Sequence, residues 1–290
     1  MKVVGFTFVR NAVTYDYPVL ESLRSLLPLC DEVVVAVGRS DDDTLGLIQG
    51  LNSAKIRIIE TEWDDTLREG GRVLALETDK ALAAVPADAD WAIYLQADEV
   101  LHEADYPAIR ASMVRWQAER QVDGLLLEYR HFYGSYDYLG DARRWYRREI
   151  RIVRPGIGVF SYRDAQGFRK TGNEKLRVKL LAATVHHYGW VKAPAAMQRK
   201  QETFNKLWHD DEWVARHVAP AAEFDYSQID ALRPFTGTHP AVMAGRIQAQ
   251  NWRYAHDMSR NSYQFKDRLK QLIERLTGYR IGEYRNYQLI

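Results

Sequence analysis

The amino-acid sequence predicts an α/β fold in which helices cover both faces of a mostly parallel central sheet. Short runs of apolar, often β-branched residues recur through the first half of the chain, and segments with helical spacing separate them. Strands that are apolar on both faces and alternate with helices are typical of such sheets. The chain has 290 residues, of which 46% are hydrophobic, so it can bury a full core.

Each element of the first half follows from its residues. Residues 3–9 and 33–37 are apolar runs of strand length, and Asp16 and Pro18 precede a segment whose leucines form one helical stripe. The next predicted elements are a helix opening at 41–44, a strand over 55–60, a helix over 69–85 and a strand over 91–95. Ligands bind beyond the carboxyl ends of the strands in such sheets, which places a candidate site after residues 9, 37, 60 and 95.

The regular alternation ends near residue 120. The later predicted strands cover 124–129, 149–153 and 179–188, and helical patterns follow over 197–218, 240–256 and 265–276. Phe265, Leu269, Leu272 and Leu276 form an apolar stripe, which core packing explains better than membrane contact. We therefore predict a first domain over residues 1–190 and a helical C-terminal extension over 191–290 packed on it.

Composition argues against several classes of protein. The 40 Lys and Arg side chains balance 39 Asp and Glu, so the net charge of +1 gives no general reason to bind nucleic acid. The single Cys30 cannot form an internal disulfide bond. The apolar runs are far shorter than the ~18 residues that span a bilayer. We expect a cytoplasmic protein, with the inner face of the membrane as an alternative location and peripheral membrane contact at most.

Two segments contain candidate metal ligands. Gln96, Asp98 and Glu99 directly follow the predicted strand 91–95, and adjacent carboxylates suit Mg²⁺ or Mn²⁺, although a capped turn also explains them. His186 and His187 lie in a predicted strand, where a histidine can complete such a site or form an ordinary hydrogen bond in the core. Because adjacent strand residues face opposite ways, at most one of the two points into a given site.

Polar residues after the first two strands can contact a nucleotide. Arg10 and Asn11 follow the first strand, and Asp41 and Asp43 follow the second. A carboxylate there can accept hydrogen bonds from a ribose or a base, and a helix N-cap is the alternative role.

Arginines and aromatic residues are concentrated in the middle of the chain. Guanidinium groups suit a diphosphate or an anionic acceptor, although a solvated charged face is the alternative. The arginines are Arg143, Arg144, Arg147, Arg148, Arg151 and Arg154. Five aromatic residues over 129–138 can stack on sugar rings or pack in the core.

Together these elements resemble the glycosyltransferase family 2 members of the GT-A fold. The matching segments, in the family's order, are VRNA (9–12), VGRSDDDTL (37–45), EGGRVLALETDKAL (69–82), YLQADEVLHE (94–103), VHHYGWV (185–191) and PFTGTHPAVM (234–243). The resemblance implies a hexosyltransferase-type enzyme of polysaccharide biosynthesis that uses Mn²⁺ or Mg²⁺. It implies inverting transfer of a sugar from a nucleotide-diphosphate donor to a hydroxyl of a glycan or lipid-linked glycan acceptor.

The resemblance also implies roles for individual residues. Asp98 is the implied metal carboxylate and His187 the additional ligand, with His186 and Glu99 in reserve. The implied contacts to the nucleotide-sugar are Arg10, Asn11, Asp41, Asp43, Gly71, Gln96 and Arg148. Gln96 departs from the family pattern, because it stands where the acidic motif often has its first aspartate and contributes no charge.

Transfer to a hydroxyl group also needs a carboxylate that takes the proton. We expect Asp164 in this role, since it lies in a glycine-containing loop between the acidic motif and the histidine strand, with Glu128 and Glu174 as alternatives. A sugar nucleotidyltransferase is a less favoured function, because residues 3–10 contain only Gly5 where a glycine-rich loop is needed. The remaining alternative is a catalytically degenerate GT-A-like module that binds sugar nucleotides without turnover, for which Gln96 is the support.

Overall fold

A single mixed sheet organises the chain in the computed structural model, which describes residues 1–218, 221–263 and 265–290. Its strands are β1 (Val3–Val9), β2 (Glu32–Gly38), β3 (Ile56–Thr61), β4 (Trp91–Tyr94), β5 (Glu99–Leu101), β6 (Gly124–Tyr133), β7 (Tyr138–Gly140), β8 (Arg148–Val153), β9 (Val159–Tyr162), β10 (Gly167–Lys170), β11 (Glu174–Trp190), β12 (Leu232–Pro234) and β13 (Tyr287–Leu289). Its helices are α1 (Val19–Leu26), α2 (Thr44–Gln49), α3 (Arg72–Ala83), α4 (Tyr106–Trp116), α5 (Pro194–Phe204), α6 (Asp211–His217), α7 (Ala244–Gln248) and α8 (Phe265–Thr277).

The first four long strands form a parallel core in the order β3-β2-β1-β4. Successive residues of β2 alternate between two apolar clusters: Val33 and Val35 pack on the side of α1, α2 and α4, whereas Val34 and Ala36 pack on the side of α3. Both faces are therefore covered, which explains why β1, β2 and β4 are largely apolar, whereas the edge strand β3 also carries the exposed Arg57 and Glu60. The predicted α/β fold class, a Rossmann-like sheet with helices on both faces, is confirmed.

The sheet continues through strands that bring the acidic motif to the histidines. β8 is antiparallel to both β4 and β6, and β6 is parallel to β11. The short β5, which begins at Glu99 of the motif, pairs antiparallel with β11 and places Glu99 opposite His187. Because β11 is long, it runs from the far end of the sheet into this site.

The segment from residue 191 onward is only partly helical. The pattern over 197–218 is divided between α5 and α6, and the predicted helix over 240–256 is wrong after α7, since residues 250–257 have no regular structure. β12 and β13 return to the sheet beside β7 and β11. The boundary at residue 190 stays a prediction. Within the described residues, no helix has both the length and the apolar character needed to cross a membrane.

The apolar stripe of α8 is not packed in the core. Leu269, Leu272 and Leu276 are 58%, 53% and 77% exposed. The interpretation of this stripe as core packing is therefore wrong for these three leucines, and the side chain of Phe265 lies outside the described part. The helix presents leucines to its surroundings while other residues of the same helix form ion pairs with the sheet.

Glu149 on β8 is a buried carboxyl group with one oxygen lacking a hydrogen-bond partner among the described residues. Burial raises its pKa from 4.5 to about 8, against the opposing attraction of Arg151. Its other oxygen accepts a hydrogen bond from Gln166 Nε2 (3.1 Å). Glu149 is therefore protonated in the folded protein at neutral pH.

We expect Glu149→Gln to raise the free energy of unfolding by an amount that grows with pH. Below pH 4.5 the Glu149 carboxyl group is protonated in both the folded and the unfolded state. Between pH 4.5 and about 8 it loses its proton only in the unfolded state. The stability of the wild type therefore falls with rising pH by up to about 1.4 kcal/mol per unit in that window, and this loss levels off above it. Urea denaturation of both proteins across the window measures the difference. Parallel stability curves would show that Glu149 is ionised in the folded state.

Candidate functional site

A cavity of about 320 Å³ opens beyond the carboxyl ends of β1, β2 and β4, and we call it the strand-end cavity. Arg10 and Asn11 reach it from β1, Asp41 from β2, and Gln96 and Asp98 from β4. Since neighbouring parallel strands end at the same edge of a sheet, residues distant in sequence meet there. The cavity lies where the sequence predicts a site.

Hydrogen bonds fix the first two of these segments against each other. The backbone N–H of Asp41 donates to Asn11 Oδ1 (2.8 Å), and Asn11 Nδ2 donates to Asp41 Oδ2 (3.2 Å). Asn11 has a φ of 53°, a left-handed conformation that asparagine tolerates better than most residues. Arg10 donates to Asp65 Oδ1 (2.5 Å), while its buried Nε has no partner among the described residues.

The three aspartates at 41–43 have different roles. Asp41 lines the strand-end cavity, but Asp43 does not; its carboxylate lies against Gly46 at the start of α2. Asp42 accepts hydrogen bonds from the backbone N–H groups of Thr14 (2.7 Å) and Thr44 (3.0 Å) and so joins the two loops. The predicted nucleotide contact of Asp43 is therefore not retained.

Asp98 lies at the bottom of the site between an imidazole and an ammonium group. Its Oδ1 is 3.8 Å from His187 Nε2, and its Oδ2 is 3.5 Å from Lys200 Nζ. Burial alone would raise the pKa of Asp98, but its electrostatic interactions with His187, Lys200 and Lys192 hold it below its ordinary value. Asp98 is therefore a carboxylate, although it is only 8% exposed.

Glu99 points away from Asp98 into a buried ion pair. Arg151 Nε and Nη2 each donate to one of its oxygens (2.8 Å), and the Tyr129 hydroxyl donates to it as well (2.7 Å). Glu99 and Arg151 are both fully buried. Because both oxygens of Glu99 already have partners, we leave Glu99 out of the proposed metal ligands. The same pair takes Arg151 out of the predicted surface arginine cluster.

The two adjacent histidines face opposite ways, as strand geometry requires. His187 faces Asp98, whereas His186 Nε2 lies 3.3 Å from Arg130 Nη1 and its ring stacks on Phe132. The structure thus places His187 in the site and takes His186, the reserve ligand, out of it.

A further histidine, His131 on β6, determines which nitrogen of His187 carries the proton. Burial lowers the pKa of both imidazoles, so both are neutral near pH 7. His131 Nε2 is 2.8 Å from the carbonyl oxygen of Tyr146, to which it must donate, and its Nδ1 therefore accepts from His187 Nδ1 (3.1 Å). His187 Nε2 is left with a free lone pair directed towards the Asp98 carboxylate.

This arrangement suits a divalent cation that is also held by a ligand. Two acceptor atoms face each other at 3.8 Å, so an ion or a proton donor between them would remove their repulsion. No group of three or more His, Cys, Asp or Glu side chains that could hold a metal ion occurs in the described part. Mg²⁺ and Mn²⁺ prefer carboxylate oxygens, and Mg²⁺ is often bound by one or two carboxylates together with substrate phosphates. Asp98 supplies the preferred donor of this kind, and the imidazole of His187 supplies an additional one.

Two buried lysines were not predicted. Lys200 on α5 lines the strand-end cavity and donates to the carbonyl oxygen of Gly189 (3.1 Å); Lys192 donates to that of Asp16 (2.7 Å). Burial lowers the pKa of both amines. The positions of the strand ends in the sequence do not indicate Lys200, because this residue enters the site from the helix that follows the last long strand.

The loop of Asp164 is attached to the acidic motif. Gln96 Nε2 donates to the carbonyl oxygen of Ala165 (3.2 Å). A Cβ atom at Gly71, whose φ is 69°, would come within 2.7 Å of Asp164 Cβ, so glycine permits this close approach. Burial raises the pKa of Asp164, and its side chain lines a separate cavity with Trp208. Neither Asp164 nor Gly71 lines the strand-end cavity itself, although Gln96 and Gly71 hold the Asp164 loop near it.

Three further predicted residues lie away from the strand-end cavity. Arg148 donates to Glu128 (3.1 Å) in a separate cavity, so neither is adjacent to the strand-end cavity. Glu174 is exposed at the start of β11, 13 residues before His187, which corresponds to roughly 40 Å of extended strand. We therefore do not retain Arg148 as a nucleotide contact or Glu128 and Glu174 as bases.

No protein-family model matches this chain, and no curated protein matches it. Similar solved structures include S. aureus TarS, at 14% identity and a TM-score of 0.42, covering 70% of this chain and 39% of TarS. The structure of S. aureus TarS 1-349 in complex with UDP has 14% identity and a TM-score of 0.41, and the match covers 70% of this chain and 64% of that one. The chain thus spans less than two thirds of the TarS structures.

Two further similar structures are enzymes from other bacteria. Glucosyl-3-phosphoglycerate synthase from Mycobacterium tuberculosis, in complex with Mn²⁺, UDP and phosphoglyceric acid, has 18% identity and a TM-score of 0.30, covering 45% of this chain and 43% of that one. 4-Diphosphocytidyl-2C-methyl-D-erythritol synthase from Anaerococcus prevotii has 12% identity and a TM-score of 0.37, and the match covers 66% of this chain and 89% of that one.

Proposed function

We propose that this chain is a glycosyltransferase that moves a sugar from a nucleotide-diphosphate donor to a hydroxyl group of a glycan or glycoconjugate acceptor. The observation that carries the proposal is the pair of acceptor atoms on Asp98 and His187, 3.8 Å apart beside the strand-end cavity. The location beyond parallel strand ends supports nucleotide binding. A buried ammonium group beside the pair supports binding of an anion.

The nucleotide binds, in this proposal, against the loops after β1 and β2. Asp41 accepts hydrogen bonds from the ribose or base, and Arg10 and Asn11 flank it. Gln96, which is neutral, donates to the Ala165 carbonyl and holds the loop of Asp164 rather than a cation. This explains how a glutamine can stand in the acidic motif without loss of the site.

Asp98 and His187 would hold Mn²⁺ or Mg²⁺ when it is bound with the diphosphate. Such a cation supplies neutralisation of the charge that develops on the diphosphate as the glycosidic bond breaks. His131 orients His187, as hydrogen-bonded partners of metal-binding histidines commonly do. Asp164 takes the proton of the acceptor hydroxyl during direct displacement, which inverts the configuration at the transferred carbon.

Lys200 contacts the diphosphate from the other side of Asp98. We expect Lys200→Met to weaken binding of nucleoside diphosphates about tenfold or more, because a charge-assisted hydrogen bond is lost. Binding of the corresponding nucleoside, which has no phosphate, should change little. Isothermal titration calorimetry measures both ligands, and Lys200→Arg should recover part of the loss. Equal affinity of the wild type and Lys200→Met for the diphosphate would contradict this contact.

A product assay distinguishes the proposed function from its alternatives. The protein is incubated with Mn²⁺ and a panel of nucleotide-sugars, and slow release of nucleoside diphosphate is followed. A transferase hydrolyses its donor slowly to nucleoside diphosphate, whereas a nucleotidyltransferase releases pyrophosphate from a nucleoside triphosphate and a sugar phosphate. Binding of a nucleotide-sugar without any release, with or without candidate acceptors, would indicate the degenerate binding module.

A further inference from the structure

A second cavity, of about 410 Å³, is lined in part by His131, the partner of His187. Six arginines line it: Arg130, Arg143, Arg147, Arg148, Arg233 and Arg280. The acidic side chains in its wall are Glu128, Asp141 and Glu274. Positive groups thus outnumber negative ones in the wall of this cavity, which we call the arginine cavity.

The carboxylates of the wall are shared among several guanidinium groups. Glu274 alone lies 3.0 Å from both Arg143 Nη1 and Arg147 Nη1, and 3.7 Å from Arg280 Nε. Arg147 has a second partner in Glu283 (3.0 Å). These pairs fix the far wall of the cavity and connect α8 to the sheet.

Two other arginines of the wall have fewer acidic partners. Arg148 pairs through Nη2 with the half-exposed Glu128 (3.1 Å), while its buried Nε has no partner among the described residues. Arg130 has no carboxylate within ion-pair distance in the described part of the chain. Its Nη1 lies against the neutral His186, and its guanidinium lies 5.7 Å from the centre of the Phe235 ring.

This cavity is connected to the proposed metal site through two side chains. His131 lines the arginine cavity and contacts His187, which in turn faces Asp98 in the strand-end cavity. The side chains of His131 and His187 thus link the wall of the arginine cavity to Asp98 in the strand-end cavity. If the strand-end cavity holds the donor, the arginine cavity is the place for part of the acceptor.

We propose that the arginine cavity binds a phosphate group of the acceptor. Guanidinium groups bind phosphate with paired hydrogen bonds, and a partly desolvated surplus of positive charge favours an anion. The inference rests on the proposed function and names its acceptor class: a phosphate-bearing glycan or glycoconjugate. The phosphate can be carried by a soluble sugar or by a lipid. Glu274 of α8 lines the cavity, and the exposed leucines of the same helix are available for contact with a lipid surface.

The test uses inorganic phosphate as the probe, titrated at constant ionic strength and followed by tryptophan fluorescence, since Trp145 lines the cavity. We expect the double variant Arg130→Gln, Arg148→Gln to bind phosphate about tenfold or more weakly than the wild type. Arg216→Gln, at an exposed ion pair on α6, is the matched control and should bind as the wild type does. If the double variant fails to fold, Arg148→Lys keeps the charge and should show a smaller loss.

A parallel titration in Lys200→Met separates the two cavities, because phosphate binding to the arginine cavity should persist there. Phosphate binding that disappears in Lys200→Met but is unchanged in the double variant would overturn the proposal. Failure of the wild type to bind any nucleoside diphosphate would instead count against the proposed function. The phosphate titration would still show whether the arginine cavity binds phosphate.

The source of the phosphate is tested with vesicles of phosphatidylcholine, with and without phosphatidic acid. Flotation with the phosphatidic acid vesicles that is lost in the double variant would support a lipid-borne phosphate. Phosphate binding in solution without flotation would support a soluble acceptor. Equal flotation of the wild type and the double variant, together with equal phosphate affinity, would overturn the proposal.

Discussion

Replacement of Asp98 by asparagine is expected to lower kcat/KM for sugar transfer by about 10²–10³-fold while the chain remains folded. Asparagine keeps the shape of the side chain but removes the charge that faces His187 Nε2 and Lys200 Nζ. The cation then loses its only proposed carboxylate ligand, and the diphosphate loses the stabilisation that it needs as the leaving group. Steady-state kinetics at saturating Mn²⁺ measure the effect.

The matched control is Asp88→Asn, an exposed aspartate paired with Lys2 at the opposite end of β1. It should transfer as the wild type does. Circular dichroism and thermal unfolding check that Asp98→Asn is folded, since the change removes a negative charge that interacts with both buried lysines. Transfer at the wild-type rate by folded Asp98→Asn would refute the metal-site proposal.

Replacement of Asp164 by asparagine should slow transfer by about 10²–10⁴-fold and leave the affinity for nucleoside diphosphate unchanged. Burial raises the pKa of Asp164, which moves this carboxylate towards the range where it accepts a proton more effectively. The asparagine retains the volume of the side chain beside Gly71. Single-turnover rates and calorimetric titrations separate the two effects.

The pH profile gives an independent test of the same residue. A raised pKa means that Asp164 becomes protonated, and the rate falls, at a pH above the ordinary range of aspartate. Asp164→Asn should lack this acid limb in its residual activity. Glu212→Gln, an exposed change on α6, should keep both rate and profile. An unchanged rate in Asp164→Asn, or a large loss in Glu128→Gln instead, would assign the base elsewhere.

The strand-end cavity could be predicted because its position follows from local pattern alone. Runs such as Val33–Val37 are apolar on both faces only when a parallel sheet is covered on both sides, and the ends of such strands meet at one edge. The same pattern marks Asp98 and the two histidines as candidates, since they follow or lie in strands, whereas the choice of Asp98 and His187 as metal ligands comes from the family resemblance. The opposite orientation of His186 follows from the pleat.

Residues that act across long sequence distances could not be predicted. Lys200 reaches Asp98 only because α5 folds back over the strand ends, and its spacing from the motif contains no information about this contact. His131 becomes the partner of His187 through the parallel register of β6 and β11, which no local pattern specifies. Glu99 looks like a metal ligand in sequence, yet Arg151, 52 residues away, pairs with it in the core.

The central claim is that Asp98 and His187 bind a divalent cation together with a nucleoside diphosphate. The most direct test is calorimetric titration of a panel of nucleoside diphosphates into the wild type and Asp98→Asn, with Mn²⁺ and with a chelator. We predict that one nucleoside diphosphate binds the wild type, that Mn²⁺ tightens this binding, and that Asp98→Asn loses the effect of Mn²⁺. Binding that is the same with and without Mn²⁺ in the wild type, or no binding by any nucleoside diphosphate, would contradict the claim.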